Sequence, residues 1–199
     1  MLVNYTFRSS LGALCRQARY CRLYTTGTPV NAEPITTDDS IHRLDLRIGK
    51  IVQIDHHPNA EHLYVERVDV AESEPRTIVS GLAKYIPKDS LINKHVVVVC
   101  NMKSSRFRGI LSQGMLLAAS HNDQVALLEP TGVTLLGERV QVKGVTMGTP
   151  DTVLKPKQKV IEQVMPHLQV KSGIATYKNK ALVTGENHPV TCDIDGQVS

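Results

Sequence analysis

Apolar and polar residues alternate with a period of two along much of the chain, and this pattern predicts short β-strands. The alternation is clearest in residues 44–54 and 63–70, and residues 76–80 are predicted to form a third strand. A turn is expected at residues 57–60, where a proline interrupts the pattern. Gly49 lies inside the first strand and is expected to mark a bulge or a bend.

The central segment is predicted to form two strands joined by a basic loop. Residues 96–99 are consecutive valines, and an unbroken β-branched run favours a strand that is buried on both faces. A second apolar run occupies residues 115–119. The loop between them, residues 101–113, holds three cationic side chains with amide and hydroxyl groups and no acidic residue. A rigid sheet that carries such a loop can bind a phosphate backbone, although a solvated hairpin would have the same composition.

Further short segments extend the strand pattern on both sides of this loop. Residues 82–94 are predicted to be a short helix or a loop broken by Pro87, and strands are expected at 125–128 and 139–142. Short strands separated by glycine and proline turns, with one brief helical insertion, are typical of a small closed barrel. The fold class is therefore predicted to be mainly β, with a five-stranded OB-fold barrel as the best match.

The chain changes character after Gly144. A lysine-rich connector is followed by apolar residues at helical spacing in 157–168, and by two weak strands at 174–177 and 181–184. This α+β segment is too short to bury a core of its own. It is therefore expected to pack on the barrel as a small C-terminal subdomain.

Composition divides the chain into four parts. Residues 1–31 hold four arginines and no acidic residue among serines, threonines and scattered apolar residues, which is typical of a mitochondrial transit peptide. A basic arm that contacts RNA itself is the alternative for this segment. Residues 32–40 are a predicted linker, 41–143 the OB-fold domain and 144–199 the C-terminal subdomain. The protein is expected in the mitochondrial matrix, with the cytoplasm as the alternative.

Charge is segregated along the chain rather than strong overall. The net charge of +4 equals the four arginines of residues 1–31, because the rest of the chain balances 19 basic against 19 acidic residues. Residues 55–74 are acidic, whereas 84–108 and 155–180 each hold six basic residues and a single acidic one. Any anion-binding face must therefore come from this segregation.

Other functional classes find no support in the sequence. No apolar run approaches the roughly 20 residues that span a bilayer, so no membrane partner is expected. The four cysteines form no CxxC pair, which favours a reducing compartment. His56, His57 and His62 cluster in sequence, but no cysteine or paired carboxylate completes a metal site. No catalytic triad, P-loop or dinucleotide motif occurs, so no catalytic residue, metal or cofactor is expected.

The chain contains seven short sequence motifs, and their occurrence together in this order is a specific signal. They are DLRIGKI (45–51), HPNAEHLYV (57–65), PRTIVSGL (75–82), VVVCNMK (97–103), RGILSQGM (108–115), VALLEP (125–130) and GERV (137–140). These motifs resemble the tRNA-binding domain of the endothelial-monocyte-activating-polypeptide type. That family includes the C-terminal domains of aminoacyl-tRNA synthetase cofactors and of animal tyrosyl-tRNA synthetases. The resemblance covers about residues 44–183, most of the chain.

The resemblance implies an OB barrel that binds tRNA by its shape and backbone. It also implies a tail that imitates the second barrel of dimeric bacterial relatives, because residues 154–163 and 175–178 match the longer form of the family. A monomer with an internal pseudo-dimer interface is therefore expected. The tRNA-binding candidates implied by position are Lys84, Asn101, Lys103, Arg108, Ser112, Gln113 and Met115, and Arg106 of the same loop joins them.

Two positions depart from the family pattern. The family usually has a proline near Ser104 or Ser105, so the loop is expected to be less rigid here. A tryptophan of the family's tail helix is replaced by Ile161, which is expected to weaken the packing of the tail.

The sequence predicts a non-catalytic tRNA-binding protein that presents or retains tRNA for an aminoacyl-tRNA synthetase in mitochondria. Aromatic residues make up only 4% of the chain, which favours recognition of a folded RNA through its backbone over stacking on single strands. One alternative is a protein-interaction or assembly module of a synthetase complex with little RNA binding of its own. The other is a general nucleic-acid chaperone that also binds single-stranded DNA or RNA.

Overall fold

A computed structural model describes residues 34–199 of the chain. The predicted transit peptide (1–31) lies outside the described residues, as do the first two residues of the predicted linker. None of the described helices is both long enough and apolar enough to span a bilayer.

The described chain consists mainly of short strands, so the prediction of a mainly β fold is confirmed. The strands are β1 (Leu46–His57), β2 (Ala60–Asp69), β3 (Arg76–Ser80), β4 (His95–Val99), β5 (Ser105–Phe107), β6 (Ile110–Ser112), β7 (Met115–Leu116), β8 (Ala118–His121), β9 (Gln124–Leu127), β10 (Glu129–Pro130), β11 (Gln141–Val142), β12 (Leu168–Lys171), β13 (Ile174–Tyr177), β14 (Lys180–Val183), β15 (Val190–Thr191) and β16 (Gly196–Val198). The helices are α1 (Lys88–Leu91) and α2 (Val160–Val164), with 3₁₀ turns at Ser40–Arg43, Leu82–Lys84, Pro156–Gln158 and Met165–His167.

A five-stranded antiparallel sheet contains the strands that the alternating pattern predicted. Its order is β3-β2-β1-β4-β7. The outer strands β3 and β7 form no ladder with each other, so strand pairing does not close the sheet into a barrel. The segment before β7 reaches β3 instead: the Gln113 amide donates to the Thr77 carbonyl at 2.8 Å, and the Val79 amide donates to Ser112 Oγ at 3.0 Å. These two hydrogen bonds bridge the edges of an OB-type sheet.

Gly49 does not mark the bulge that the sequence predicted. It pairs in regular register with Val96, and the register of β1 against β2 shifts instead between Ile51 and Gln53. A Cβ atom at position 49 would lie 2.8 Å from Val68 Cγ1. The glycine is therefore needed for side-chain packing, and the prediction of a bulge at this position was wrong.

A second sheet joins the C-terminal strands to the central ones. Its order is β10-β15-β13-β12-β16-β8-β9, and β14 pairs with both β13 and β11. The pairs β16–β8 and β14–β11 connect strands that lie on opposite sides of Gly144 in sequence. The tail therefore packs on the preceding strands, as predicted, although β12, β15 and β16 were not predicted as strands.

The tail helix is shorter than its apolar spacing suggested. Lys159 adopts a left-handed conformation (φ 49°, ψ 36°) and separates a 3₁₀ turn from α2. Pro166 then lies in the following 3₁₀ turn, where its missing N–H cannot continue an α-helix. The helix predicted for 157–168 is therefore one α-helical turn between two 3₁₀ turns.

The core has two parts that meet at β4. Val97 and Val99 pack in a cluster with the segment before β1 and with the tail, whereas Val96 and Val98 pack in a cluster with β1, β2 and β3. All four valines are fully buried. The predicted strand with two buried faces is confirmed, and it contributes to both parts of the core, as β1 also does.

Candidate nucleic-acid interface

The basic loop starts at Asn101, two residues after the end of β4, and this residue anchors the loop to its surroundings. Its side-chain oxygen accepts from the Asp45 amide at 3.0 Å, and its Nδ2 donates to the carbonyls of Arg43 and Asp151, both at 2.8 Å. The residue is buried. Both amide hydrogens and the amide oxygen are engaged within the chain, so the structure gives Asn101 a structural role.

The same residue brings the lysine-rich connector alongside the loop. The Leu154 amide donates to the Asn101 carbonyl at 2.7 Å, and Leu154 forms a parallel bridge with Met102. Together with the bond from Asn101 Nδ2 to Asp151, these contacts fix the connector next to the first residues of the loop. Two basic stretches that are far apart in sequence are thereby joined.

A groove of about 190 Å³ lies between the loop and the connector, and we call it the loop–connector groove. Its basic residues are Lys103 from the loop and Lys155 and Lys159 from the connector. Its other lining residues are Met102, Leu154, Pro156, Val160, Ile161 and Glu162. Within residues 34–199, the three ammonium groups form no hydrogen bond or ion pair. The lining therefore combines three lysines, which we call the walls, with apolar residues, which we call the floor, and a single acidic side chain.

The remaining cations of the loop lie at the tip of a hairpin. Strands β5 and β6 pair, and the turn between them has positive φ at Arg108 (48°) and Gly109 (99°), as a two-residue hairpin turn requires. Arg106 Nη1 donates to the Gly109 carbonyl at 2.9 Å, and Arg106 and Arg108 are both exposed. The basic loop could also be interpreted from its sequence as a solvated hairpin, and this interpretation describes its backbone correctly.

His57 holds this hairpin against the turn between β1 and β2. Its Nδ1 accepts from the Asn59 amide at 3.1 Å, so its Nε2 carries the proton and donates to the Phe107 carbonyl at 3.1 Å. No set of three potential metal-ligating side chains occurs within residues 34–199. The histidine has a structural role that positions the arginines of the hairpin.

Two further predicted contact residues are engaged inside the fold. Ser112 is buried, and its hydroxyl accepts from the Val79 amide and donates to the Gly114 carbonyl at 3.1 Å. Gln113 Oε1 accepts from the Thr77 amide at 2.9 Å. Both residues tie the loop to β3, so their side-chain oxygens are committed within the chain.

The last two predicted residues lie outside the loop. Met115 opens β7 and is half-buried against the core, and Lys84 is exposed in the 3₁₀ turn after β3. Of the eight predicted residues, the four cations are therefore exposed. The other four contribute wholly or partly to the internal structure.

The sequence and the fold match a known family of proteins. The family model of the tRNA-binding domain matches residues 46–139. The crystal structure of the C-terminal domain of Plasmodium vivax p43 matches with a TM-score of 0.77 and 32% identity, covering 81% of this chain and 99% of that one. This chain belongs to the tRNA-binding domain family. The resemblance that the sequence motifs indicated is therefore confirmed.

Curated relatives carry this tRNA-binding domain within longer chains. The chicken (Gallus gallus) cytoplasmic tyrosine–tRNA ligase is 45% identical over 158 residues, which are 77% of this chain and 30% of the ligase. The aminoacyl tRNA synthase complex-interacting multifunctional protein 1 of Cricetulus griseus is 41% identical over 158 residues, 79% of this chain and 43% of that protein. This chain thus spans less than half of either relative. The matched family is a non-catalytic tRNA-binding domain, in agreement with the prediction of no enzyme activity.

Sequence reasoning did not include Lys155 and Lys159 among the predicted site residues. The lysine-rich composition of the connector was visible, but its position beside Lys103 depends on the hydrogen bonds of Asn101. Those bonds link residues about 50 positions apart, and no local pattern reports such a contact. The tRNA-binding domain thus has a wider basic surface than its family motif indicates.

Proposed function

We propose that this protein binds tRNA across the loop–connector groove and the tip of the β5–β6 hairpin, and that it serves an aminoacyl-tRNA synthetase as a non-catalytic cofactor. The observation that carries the proposal is the convergence of Lys103, Lys155 and Lys159 in one groove. Cations without internal partners neutralise phosphates and release counterions, which makes binding strong at low salt and weak at high salt. Phosphate contacts position an RNA without reading its sequence, so many tRNAs would be accepted.

The distribution of acidic residues supports the same orientation. Glu72 pairs with Arg76 at 2.6 Å, and Asp55 lies 3.4 Å from Lys88. These carboxylates belong to the acidic stretch on β1, β2 and the following turn, outside the groove. A tRNA would therefore approach from the side of the lysines and arginines.

A titration with unfractionated tRNA at two salt concentrations tests this proposal. The Lys103→Ala/Arg108→Ala double variant is expected to bind more weakly at low salt, with the slope of log affinity against log salt reduced by about 2. The Lys143→Ala/Lys171→Ala variant removes the same charge from exposed positions that do not line the groove, and it should keep most of the affinity. Equal losses in the two variants would leave only a nonspecific charge effect.

The full chain and residues 32–199 should be titrated side by side. Residues 32–199 form a compact unit, so this fragment carries the proposed site. Similar affinities would support binding by the domain, whereas binding by the full chain alone would assign the RNA contact to the basic N-terminal segment. If neither chain retards tRNA at low salt, the result would support the alternative of an assembly module. Val133 and Leu135, which are 85% and 76% exposed in one loop, would then be the first surface to test for a protein partner.

A mitochondrial location is part of the proposal and is supported by the composition of residues 1–31. Fusion of these residues to a fluorescent protein is expected to direct it to mitochondria. Replacement of the four arginines by glutamine should leave the reporter in the cytosol. A cytosolic reporter with the unaltered segment would overturn this part of the proposal.

We further propose that the protein is a monomer. The tail strands cover β8 and β11 of the preceding region, which supports an interface formed within one chain. Light scattering coupled to gel filtration should give a single species close to 21.9 kDa for the uncleaved chain. A species of twice that mass would contradict it.

A further inference from the structure

We propose that the loop–connector groove is a subsite for one unpaired nucleotide of the bound RNA, with its phosphate at the lysines and its base on the apolar floor. This inference rests on the proposed tRNA binding and specifies which part of the RNA enters the groove. It predicts a preference for RNA with an unpaired end or loop over a fully paired stem.

The charge of the groove favours the binding of an anion. Lys103, Lys155 and Lys159 bring three positive charges to a space of about 190 Å³, and Glu162 is the one carboxylate that lines it. Like charges held close together repel one another. One carboxylate does not balance three ammonium groups, and a phosphate would supply the missing negative charge.

The apolar floor favours a ligand that has a nonpolar part in addition to a phosphate. Met102, Pro156 and Ile161, which are half-buried or exposed, give the groove an apolar surface that a phosphate or a ribose edge would not use, and the buried Leu154 and Val160 lie behind them. A paired stem keeps its bases stacked inside and presents backbone to a protein, whereas the bases of loops and ends can splay out. The combination of cationic walls and an apolar floor fits the phosphate and base of a splayed nucleotide.

The size of the groove limits the ligand to a single unit. Small-molecule sites usually have about 300–1,000 Å³, and the groove has about 190 Å³, so it can take the base of a nucleotide but cannot enclose the ribose and the phosphate as well. This is too little for a run of stacked nucleotides, which single-strand binding proteins hold along an extended channel. The inference therefore concerns one nucleotide at the edge of a larger tRNA contact.

The groove is also held in shape before any ligand binds. Asn101 fixes the loop wall and the connector wall through its bonds to Asp151 and Leu154. Lys159 has the left-handed conformation that residues other than glycine rarely adopt. Such conformations persist where the surrounding structure demands them, and they concentrate at functional sites.

An Ile161→Trp variant of the full chain tests the inference by gain of function. The chain contains no tryptophan, so the new indole is its sole tryptophan emitter, and position 161 lines the groove. Ile161 also packs against the core, and an indole that only improved the packing of the tail would raise the affinity for both hairpins alike. The probes are two RNA hairpins with the same stem, one blunt and one with a four-nucleotide unpaired 3′ end. Stacking of a base on an aromatic ring is worth about 1–3 kcal/mol, so the variant should bind the overhanging hairpin at least about fivefold more tightly than wild type. Its fluorescence should change with that hairpin and not with the blunt one.

A Val133→Trp variant is the matched control, because Val133 is 85% exposed and does not line the groove. Its affinity and fluorescence should not distinguish the two hairpins. The wild-type protein provides a second measurement that does not depend on a substitution. The methyl NMR signals of Met102 and Ile161 should shift with the overhanging hairpin and stay in place with the blunt one.

The outcomes separate this inference from the proposed function. Equal binding of the two hairpins by wild type and by Ile161→Trp, with no selective methyl shift, would overturn the subsite and leave tRNA binding intact. Absence of binding to either hairpin and to tRNA would overturn the proposed function itself. The Lys155→Gln/Lys159→Gln variant should lose the preference for the overhanging hairpin. The Arg106→Gln/Arg108→Gln variant should lose affinity for both hairpins by a similar factor.

Discussion

Asn101 Nδ2 donates to the backbone carbonyl of Asp151 at 2.8 Å, and this bond joins the first residue of the basic loop to the connector that carries Lys155. The family position of Asn101 indicates an RNA contact, but its amide is engaged within the chain. Its contribution to RNA binding is therefore expected to come from the groove that it holds together.

An Asn101→Ala variant should lose stability and RNA affinity together, with no change in charge. It would leave the buried Asp45 amide and two carbonyls without their partner, which should lower the free energy of unfolding by about 2–4 kcal/mol. Urea unfolding measures the stability, and a tRNA titration under folding conditions measures the affinity. Ser104→Ala, at an exposed loop position, is the control and should change neither. Unchanged RNA affinity in a destabilised Asn101→Ala protein would show that the groove does not depend on this amide.

Substitution of Gly49 by alanine should be destabilising because the position is filled by neighbouring side chains. The added Cβ would lie 2.8 Å from Val68 Cγ1 and 3.1 Å from Val98 Cγ2, and both valines are fully buried. Overpacking of this kind costs about 1–3 kcal/mol of unfolding free energy. Gly81→Ala is the matched control, since no atom lies within 4 Å of its Cβ position and its φ is −86°. A similar loss in both variants would point to a backbone cause instead.

Glu66 should make the protein less stable as the pH rises. Its side chain is fully buried, and burial raises its pKa from 4.5 to about 7, against a smaller opposite effect of the hydrogen bond from Ser80. Between these two values the folded protein holds a proton that the unfolded chain has lost, so the free energy of unfolding falls as the pH increases. The total loss is about 3 kcal/mol and is complete about one pH unit above the folded pKa of about 7.

Glu66→Gln has the shape of the protonated acid and should remove this dependence. Urea unfolding between pH 4.5 and pH 8 should therefore give curves for wild type and variant that meet at the acid end and diverge towards neutral pH. The variant should be the more stable protein at pH 8. Parallel curves would mean that Glu66 is ionised at the same pH in the folded and unfolded chains.

Several strands could be predicted because the pattern of apolar and polar residues that marks them is local. Residues 76–80 and 174–177 were predicted with the bounds that the structure has, and the two buried faces of residues 96–99 followed from a run of β-branched residues. β15 and β16 could not be found in this way, because each has two or three residues and depends on a partner far away in sequence. Periodicity needs more residues than these strands contain.

The charged residues of the candidate site could be predicted from the sequence, but the internal contacts of its other side chains could not. The three exposed cations of the loop follow from its composition, since no acidic residue in the loop could neutralise them. Asn101 and Ser112 have the same donors and acceptors in sequence whether they face solvent or the interior, so their internal role depends on the tertiary hydrogen bonds. The same is true of Ile161, whose place in the groove beside Lys159 required the fold.

A Tyr177→Phe variant tests the attachment of the segment before β1 to the tail. The Tyr177 hydroxyl donates to Asp39 Oδ1 at 2.6 Å, and Lys178 Nζ donates to Oδ2 at 2.8 Å. Burial opposes ionisation of Asp39, but these hydrogen bonds outweigh it and hold the pKa of the carboxyl below its ordinary value of 3.8. A lowered pKa adds stability above pH 3.8, and this stability is lost as the pH falls through the folded value.

The phenylalanine keeps the ring of Tyr177 and removes only the donor to a charged acceptor. The free energy of unfolding at pH 7 should fall by about 1.5–3 kcal/mol, and the deficit should shrink below pH 3.8 as the pH falls towards the lowered pKa of Asp39. Tyr85→Phe, at a side chain that is 49% exposed, is the control and should change stability by less than about 0.5 kcal/mol. Urea unfolding at pH 7 and at pH 3.5 gives both comparisons. A deficit that is equal at the two pH values would contradict the role assigned to the ionised carboxylate.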